Sequence, residues 1–227
     1  MQKNKIVFWA TMGAFVVLAL IVRFTGLIPA DIRGFGFEHT PLARVQLIAV
    51  CVPWVIFSLY WEIAAKNAAE SRQSEATSSR AVHLVLTNLA LVLTIIQFNG
   101  QGRFLTVSFL TIGVGFAVAA LGLLFAISAR RALGRNWSGK ITIKVEHQLI
   151  RSGPYRLLRH PIYTGILTMY AGTALVTGTW LAIVGVVMAV FAYARKIRLE
   201  EANMRTAFGP EYDAYCRESW ALVPWLY

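Results

Sequence analysis

The sequence alternates between long apolar segments and shorter polar segments that hold most of the charged residues. Because a bilayer core of about 30 Å needs roughly 20 apolar residues per helix, we interpret the apolar segments as membrane-spanning helices. The expected spans are residues 6–28, 45–65, 82–98, 104–128, 161–178 and 180–194. Only a tight turn separates the last two, which predicts a helical hairpin. The pattern therefore predicts an all-α integral membrane protein with about six transmembrane helices.

The composition agrees with this class. Hydrophobic residues make up 57% of the 227 positions and charged residues only 15%, which is typical of a polytopic membrane protein and not of soluble domains. The glycine-rich run at 113–122 lies inside a predicted helix and lacks nucleotide-binding spacing, so it predicts close helix packing. The four histidines are scattered and neither cysteine stands at ligand spacing to them, so we expect no metal site.

The distribution of Lys and Arg predicts the orientation in the membrane. With a cytoplasmic N-terminus, most of the 22 Lys and Arg residues fall in segments on the inner side, as the positive-inside rule requires. Both termini, the loop at 129–160 and the tail at 195–227 are then cytoplasmic, at an inner or plasma membrane. The net charge of +11 is explained by this topology and by anionic lipid, so we do not expect nucleic-acid binding.

Polar side chains cluster in that loop and that tail, which flank the same predicted hairpin at the same membrane face. A site built from them would have one wall in water and another in lipid. We therefore expect two parts in the chain. Residues 1–128 would form a four-helix transmembrane block, and residues 129–227 would carry the chemistry on the loop, the hairpin and the tail.

Four short motifs in the second part carry a resemblance to a known family. They are H-x-L-x-x-x-G-x-Y at 147–155, R-H-P-x-Y-x-G at 159–165, E-E at 200–201 and F-G-x-x-Y at 208–212. In this order the chain resembles the isoprenylcysteine carboxyl methyltransferase family, as a bacterial- or archaeal-type member, and the wider group that includes phospholipid N-methyltransferases. Each motif alone is weak, whereas the ordered combination is specific.

The resemblance implies a binding site for S-adenosyl-L-methionine that is enclosed by the loop, the hairpin and the tail, without a Rossmann domain. Glu200 would bind the amino group of the cofactor. Carried over by position, the cofactor-binding residues are His147, Leu149, Ile150, Tyr155, His160, Pro161, Ile162, Tyr163 and Glu200.

One position departs from the family's pattern. The arginine that faces the methyl acceptor falls four residues before Glu200, where this chain has Lys196, with Arg195 and Arg198 beside it. A lysine attracts an anion but lacks the bidentate fork with which arginine holds a carboxylate. Either Arg195 or Arg198 takes over this role, or the acceptor is not a prenylcysteine carboxylate. All three basic residues are therefore candidate catalytic residues.

Simpler explanations exist for several of the charged residues. Lys196 and Glu200, and likewise Arg198 and Glu201, have the spacing of ion pairs on a helix surface. The basic residues of the loop can anchor it to anionic lipid. Arg159 is equally compatible with anchoring and with a structural role in the loop.

The position of His160 also allows a prediction of its charge. It immediately precedes Pro161, which we expect to be the first residue of a helix. The positively polarised end of a helix favours a neutral imidazole. We therefore expect an uncharged His160 that can hydrogen-bond a cofactor.

We expect the chain to transfer a methyl group from S-adenosyl-L-methionine to a lipophilic acceptor that enters from the bilayer, by carboxyl O-methylation of an isoprenylcysteine-like substrate. The alternatives are N-methylation of phosphatidylethanolamine, a sterol-reductase-like membrane reductase and a non-catalytic membrane scaffold. A carboxylate is ionised at neutral pH and needs only to be positioned by a cation, whereas an amine must first lose a proton to a base. Membrane lipids are the expected partners.

Overall fold

The computed structural model describes residues 40–66, 77–96, 102–134, 137 and 149–225, and within these ranges it is helical, without a β-strand. The helices are α1 Pro41–Ala65, α2 Thr77–Ile95, α3 Phe109–Leu133, α4 Pro161–Thr177, α5 Trp180–Phe208 and α6 Pro210–Glu218, with a 3₁₀ helix at Gly153–Arg156. The predicted all-α fold is confirmed. The predicted first span, residues 6–28, lies outside the described residues.

Four helices, α1, α2, α3 and α5, are long and apolar enough to cross a membrane. Many of their large apolar side chains point outward, including Leu110 at 76% and Phe191 at 71% exposure, as expected of side chains that face lipid. The expected hairpin is also present. Gly178 closes α4 in the left-handed conformation with φ 67°, and the hydroxyl of Thr179 then accepts the backbone N–H of Ala182 to begin α5.

The boundaries of α3 differ from the predicted span 104–128. The helix begins after Ser108, whose side chain forms a capping box with Thr111, and it continues past Arg130. A charge there argues for the end of a span, but the Arg130 guanidinium donates to the carbonyl oxygens of Gly134 at 2.7 Å and Ala64 at 2.6 Å. It also lies over the Trp137 ring at 4.5 Å. Because its charge is satisfied locally, Arg130 is accommodated inside the helix.

The helix that contains the predicted span 180–194 is longer than that span. Helix α5 continues through the polar segment to Phe208 and ends only at Gly209, which has φ 49°, ahead of Pro210. The intervening Arg, Lys, Leu, Glu, Ala and Met residues favour helix and include no glycine or proline. The first half of the expected tail is therefore a rigid extension of a membrane helix. The predicted span 82–98 likewise begins earlier, at Thr77.

Helices α3 and α4 approach each other closely through small residues. An added Cβ at Gly172 would lie 2.6 Å from the carbonyl oxygen of Gly115 and against the backbone nitrogen of Ala119, and one at Gly165 would lie 2.6 Å from the carbonyl oxygen of Gly122. No side chain fits into such contacts, so glycine is needed at these positions. The close helix packing predicted for the run 113–122 is confirmed.

The C-terminal segment folds back onto the residues that precede α4. The backbone N–H groups of Arg159 and His160 donate to the carbonyls of Trp220 and Ala221 at 2.8 and 3.0 Å. The hydroxyl of Thr164 donates to the carbonyl of Leu222 at 2.7 Å. These bonds fix the N-terminal end of α4 against the chain terminus, beside the polar part of α5.

We expect Gly172→Ala to destabilise the chain by about 1–3 kcal/mol, because the extra methyl overpacks the α3–α4 contact. The matched control is Gly113→Ala on α3, where an added Cβ meets nothing within 4 Å; that substitution should be neutral or stabilising by about 0.5–1 kcal/mol, through helix propensity. Thermal unfolding of both variants in detergent measures the difference. Equal unfolding midpoints would contradict the packing explanation.

Candidate functional site

The site lies where the N-terminal end of α4 meets the polar part of α5. The carboxylate of Glu200 on α5 is its centre. One carboxylate oxygen accepts the Tyr163 hydroxyl at 2.5 Å and lies 4.0 Å from the Lys196 ammonium, and the other lies 3.5 Å from Nδ1 of His160. The predicted pairing of Lys196 with Glu200 is confirmed, and three of the predicted site residues surround the fourth.

Glu201, the next residue, forms a second cluster. Its Oε1 accepts Nε of Arg159 at 2.8 Å and faces Nε2 of His160 at 3.4 Å, while its Oε2 lies 3.6 Å from Arg205. The pairing of Glu201 with Arg198 that the spacing predicted is therefore not what the structure shows. Arg159 and His160 both face Oε1 of Glu201. They immediately precede Pro161, the first residue of α4, so the start of that helix places both side chains next to α5.

His160 carries its charge more readily than the sequence suggested. Burial disfavours the imidazolium, but the hydrogen bonds and negative charges of Glu200 and Glu201 outweigh burial and raise the pKa of His160 above its ordinary value of 6.5. Both ring nitrogens face a carboxylate oxygen, and only the imidazolium has two N–H groups to offer. The expectation of a neutral His160 is therefore wrong, because it considered the helix end alone and not the two carboxylates from α5.

Arg159 has a structural role. In addition to Glu201, its guanidinium donates to the carbonyl oxygen of Cys216 at 3.3 Å and to that of Ser219. Its side chain is only 11% exposed, so it does not lie among lipid headgroups. One planar fork thus joins the loop before α4, the helix α5 and the C-terminal segment.

The three basic candidates point in different directions. Arg195 donates to the hydroxyl of Ser79 on α2 at 3.1 Å and to its carbonyl at 3.4 Å, and Arg198 is exposed. Lys196 has only 12% of its side chain exposed, and its ammonium lies 5.6 Å from the centre of the Tyr163 ring. Of the three, Lys196 is the one that the structure brings to Glu200.

Aromatic rings continue the site into the apolar part of the protein. The Tyr163 ring is parallel to that of His160, with 5.6 Å between centroids, and lies 4.9 Å from Tyr193, which in turn meets His83 of α2 at 5.2 Å. Sequence reasoning missed Tyr193 and the participation of His83. Tyr193 stands three residues before Lys196 and seven before Glu200, so the face of a continuous helix would have revealed it; no local signal marks His83.

The remaining predicted residues occupy varied positions. Pro161 and Ile162 are buried in the first turn of α4, and Tyr155 is buried in the 3₁₀ helix, where its carbonyl accepts the Tyr215 hydroxyl at 2.5 Å. Leu149 and Ile150 are half-buried, and His147 lies outside the described residues. Within the described part of the chain, no group of three or more His, Cys, Asp or Glu side chains could hold a metal ion.

Comparison with known proteins agrees with this geometry. The family model described as phospholipid methyltransferase matches residues 110–211, which contain α4, α5 and all of α3 except its first residue. The chain is 31% identical over 116 residues to a probable protein-S-isoprenylcysteine O-methyltransferase of Oryza sativa subsp. indica, covering 50% of this chain and 61% of the relative. It is also 36% identical over 97 residues to the cobalt-zinc-cadmium resistance protein CzcN of Cupriavidus metallidurans, covering 41% of this chain and 44% of that protein.

The fold has a solved counterpart in a eukaryotic intramembrane Ras methyltransferase, isoprenylcysteine carboxyl methyltransferase, with a TM-score of 0.52 and 13% identity over 96% of this chain and 95% of that one. These comparisons support the family resemblance predicted from the motifs. Over residues 110–211 the chain is similar to the phospholipid methyltransferases, and the rice relative is named as an isoprenylcysteine O-methyltransferase. The chain spans about three fifths of the length of the rice relative.

The charge of His160 predicts a pH dependence of stability. The pKa of His160 is raised in the folded protein, so its pairing with Glu200 and Glu201 stabilises the fold fully below about pH 6.5. This stabilisation is lost as the pH rises through the pKa of His160 in the folded protein. We expect the thermal unfolding midpoint in detergent to fall over this window, and to fall less in His160→Gln, which cannot be charged. Parallel pH profiles for the two proteins would contradict the assignment.

Proposed function

We propose that the chain is an integral membrane methyltransferase that takes a methyl group from S-adenosyl-L-methionine and transfers it to a lipophilic acceptor, by carboxyl O-methylation of an isoprenylcysteine-like substrate. The observation that carries this proposal is the cluster of Glu200, Tyr163, His160 and Lys196 at the edge of the bilayer-spanning helices. This cluster combines a carboxylate for a cationic ligand, aromatic faces and a separate cation for an anionic one.

The residues fit the cofactor. When bound, S-adenosyl-L-methionine supplies an electrophilic methyl group on a sulfonium. Glu200 has a partly buried carboxylate, 21% exposed, that can exchange its pairing with Lys196 and His160 for the ammonium of the methionine part. The ring of Tyr163, parallel to that of His160, offers a π face beside it, and the faces of neutral aromatic rings attract cations. Tyr155, Pro161 and Ile162 line the same end of α4, and His147, Leu149 and Ile150 complete the proposed cofactor-binding set.

Lys196 is the proposed acceptor-binding residue. Arg195 is held by Ser79 and Arg198 is exposed, so neither replaces the arginine of the family's pattern. A carboxylate acceptor needs no base, and a single ammonium can position it for in-line attack. If Glu200 transfers its pairing to the cofactor, Lys196 is released to hold the acceptor's anion. The acceptor would enter sideways from the bilayer, with Lys196 at the end of its path.

A second candidate is N-methylation of phosphatidylethanolamine. Two observations favour it: residues 110–211 match the phospholipid methyltransferase model, and a lysine stands where bidentate recognition of a carboxylate would call for an arginine. In that case Lys196 would bind the lipid phosphate. In both cases we propose that the site faces the cytoplasm of an inner or plasma membrane, as the positive-inside rule predicts.

The cofactor site is tested by calorimetric titration of the purified protein in detergent with S-adenosylhomocysteine. We expect a micromolar dissociation constant, about 8 kcal/mol of binding free energy, and a loss of at least about tenfold in Glu200→Gln, or about 1.4 kcal/mol. The matched control is Glu211→Gln, which removes an exposed carboxylate of α6. No binding by folded wild-type protein would contradict the methyltransferase proposal.

The acceptor is tested with labelled S-adenosyl-L-methionine and two probes, N-acetyl-S-farnesylcysteine and phosphatidylethanolamine in vesicles. We expect methyl transfer to the farnesylcysteine carboxylate and an improved KM for it in Lys196→Arg, because the guanidinium adds a second hydrogen bond; Arg198→Lys serves as the control at an exposed position. Methylation of phosphatidylethanolamine alone would establish the second candidate.

A further inference from the structure

His83 on α2 is a buried polar residue whose hydrogen bonding is incomplete. It is only 7% exposed, and its Nδ1 finds no hydrogen-bond partner among the described residues. Buried polar groups are normally paired, so such an atom needs an explanation. The other buried nitrogen in this situation is Nε of Arg130, but that guanidinium already donates to two carbonyls. His83 has no comparable compensation at Nδ1.

The surroundings of His83 belong to the candidate site. Its ring meets the Tyr193 ring edge to face at 5.2 Å and 81°, and Tyr193 contacts Tyr163 at 4.9 Å. One turn earlier on α2, Ser79 accepts the guanidinium of Arg195. Helix α2 is thus held against the segment of α5 that carries Lys196, and His83 lies on the apolar side of Lys196, towards the interior of the bilayer-spanning part.

The tautomer is assigned from the two sides of the ring. The imidazole lies near the backbone of Ala192 on α5 and its Nδ1 has no partner among the described residues, so we assign the ring proton to Nε2. In the neutral ring, one nitrogen is a donor and the other an acceptor. With the proton on Nε2, Nδ1 carries a lone pair, which fits a ligand that has an N–H or O–H group and does not fit a bare anion.

We propose that His83 lines the methyl-acceptor side of the site and that its Nδ1 accepts a hydrogen bond from an N–H group on or beside the group of the acceptor that is methylated. The inference rests on the proposed function. Lys196 would hold the anionic group while His83 recognises the adjoining N–H. The acceptor head group is thereby narrowed to one with an N–H donor on or beside the methylated group, such as an aminophospholipid in the first case or an acylated amino acid in the second.

A pair of probes isolates this hydrogen bond. N-acetyl-S-farnesylcysteine has an amide N–H beside its carboxylate, and S-farnesyl-3-mercaptopropionate has the same lipid chain and a carboxylate but no N–H. Calorimetric binding to the wild-type chain in detergent should favour the amide probe about tenfold, which corresponds to about 1.4 kcal/mol. If phosphatidylethanolamine in vesicles is the acceptor instead, the measured quantity is its KM, in place of the ratio of the two probes' dissociation constants.

Two substitutions distinguish the ring nitrogens. His83→Gln keeps a polar group near the position of Nε2 but none at Nδ1. The preference for the amide probe should therefore fall about tenfold, or, if phosphatidylethanolamine is the acceptor, its KM should rise about tenfold. His83→Asn retains an amide group near the position of Nδ1 and should keep most of the wild-type preference for the amide probe. Asn88→Ala on the same helix, where the side chain only donates to the Leu84 carbonyl at 2.7 Å, is the control.

The outcomes separate this inference from the proposed function. An unchanged probe ratio and phosphatidylethanolamine KM in His83→Gln, or a wild-type protein that binds none of these acceptors, overturns the role of His83. Loss of S-adenosylhomocysteine binding in His83→Gln also overturns it, because His83 would then belong to the cofactor side. Failure of the wild-type protein to bind S-adenosylhomocysteine contradicts the methyltransferase proposal itself, and the probe-binding ratio still tests His83.

Discussion

The arrangement of the site depends on two adjacent carboxylates on one helix. Glu200 and Glu201 lie on α5 beyond its apolar part, and each faces one ring nitrogen of His160. Through Arg159, Glu201 also reaches the C-terminal segment. Buried charges are costly unless they are paired and hydrogen-bonded, so these contacts must form together. They join the start of α4, the length of α5 and the end of the chain in one position.

The helices make this pairing possible by holding their backbones rigidly. Glycines at the α3–α4 contact allow an approach that no other residue permits, which fixes where α4 begins and so where His160 stands. The unbroken α5 carries apolar side chains in its first half and the charged cluster in its second. An apolar outer surface and a charged cluster are therefore parts of the same rigid element, as the proposed transfer from a polar donor to a lipophilic acceptor requires.

The charges of the cluster also describe its chemistry. Glu200 is paired with the charges of Lys196 and His160 and accepts a hydrogen bond from the Tyr163 hydroxyl. If a cationic group of the cofactor pairs with Glu200, Lys196 loses that partner and can pair with an anionic acceptor. Binding of donor and acceptor would then be coupled through one carboxylate. His83 lies on α2, outside the residues 110–211 that match the phospholipid methyltransferase model, so the proposed contact to the acceptor comes from a part of the chain that this model does not cover.

The sequence by itself determined the membrane class, the hairpin, the family resemblance and the residues around Glu200, because hydropathy, turn chemistry and short motifs are local properties. The division at residue 128 and the cytoplasmic orientation remain predictions. Only the tertiary structure decided the charge of His160 and the structural role of Arg159. It also decided that Lys196, and not Arg195 or Arg198, lies beside Glu200 and that His83 packs against Tyr193. Each of these depends on which helix faces which, and that is set by packing between residues far apart in the chain.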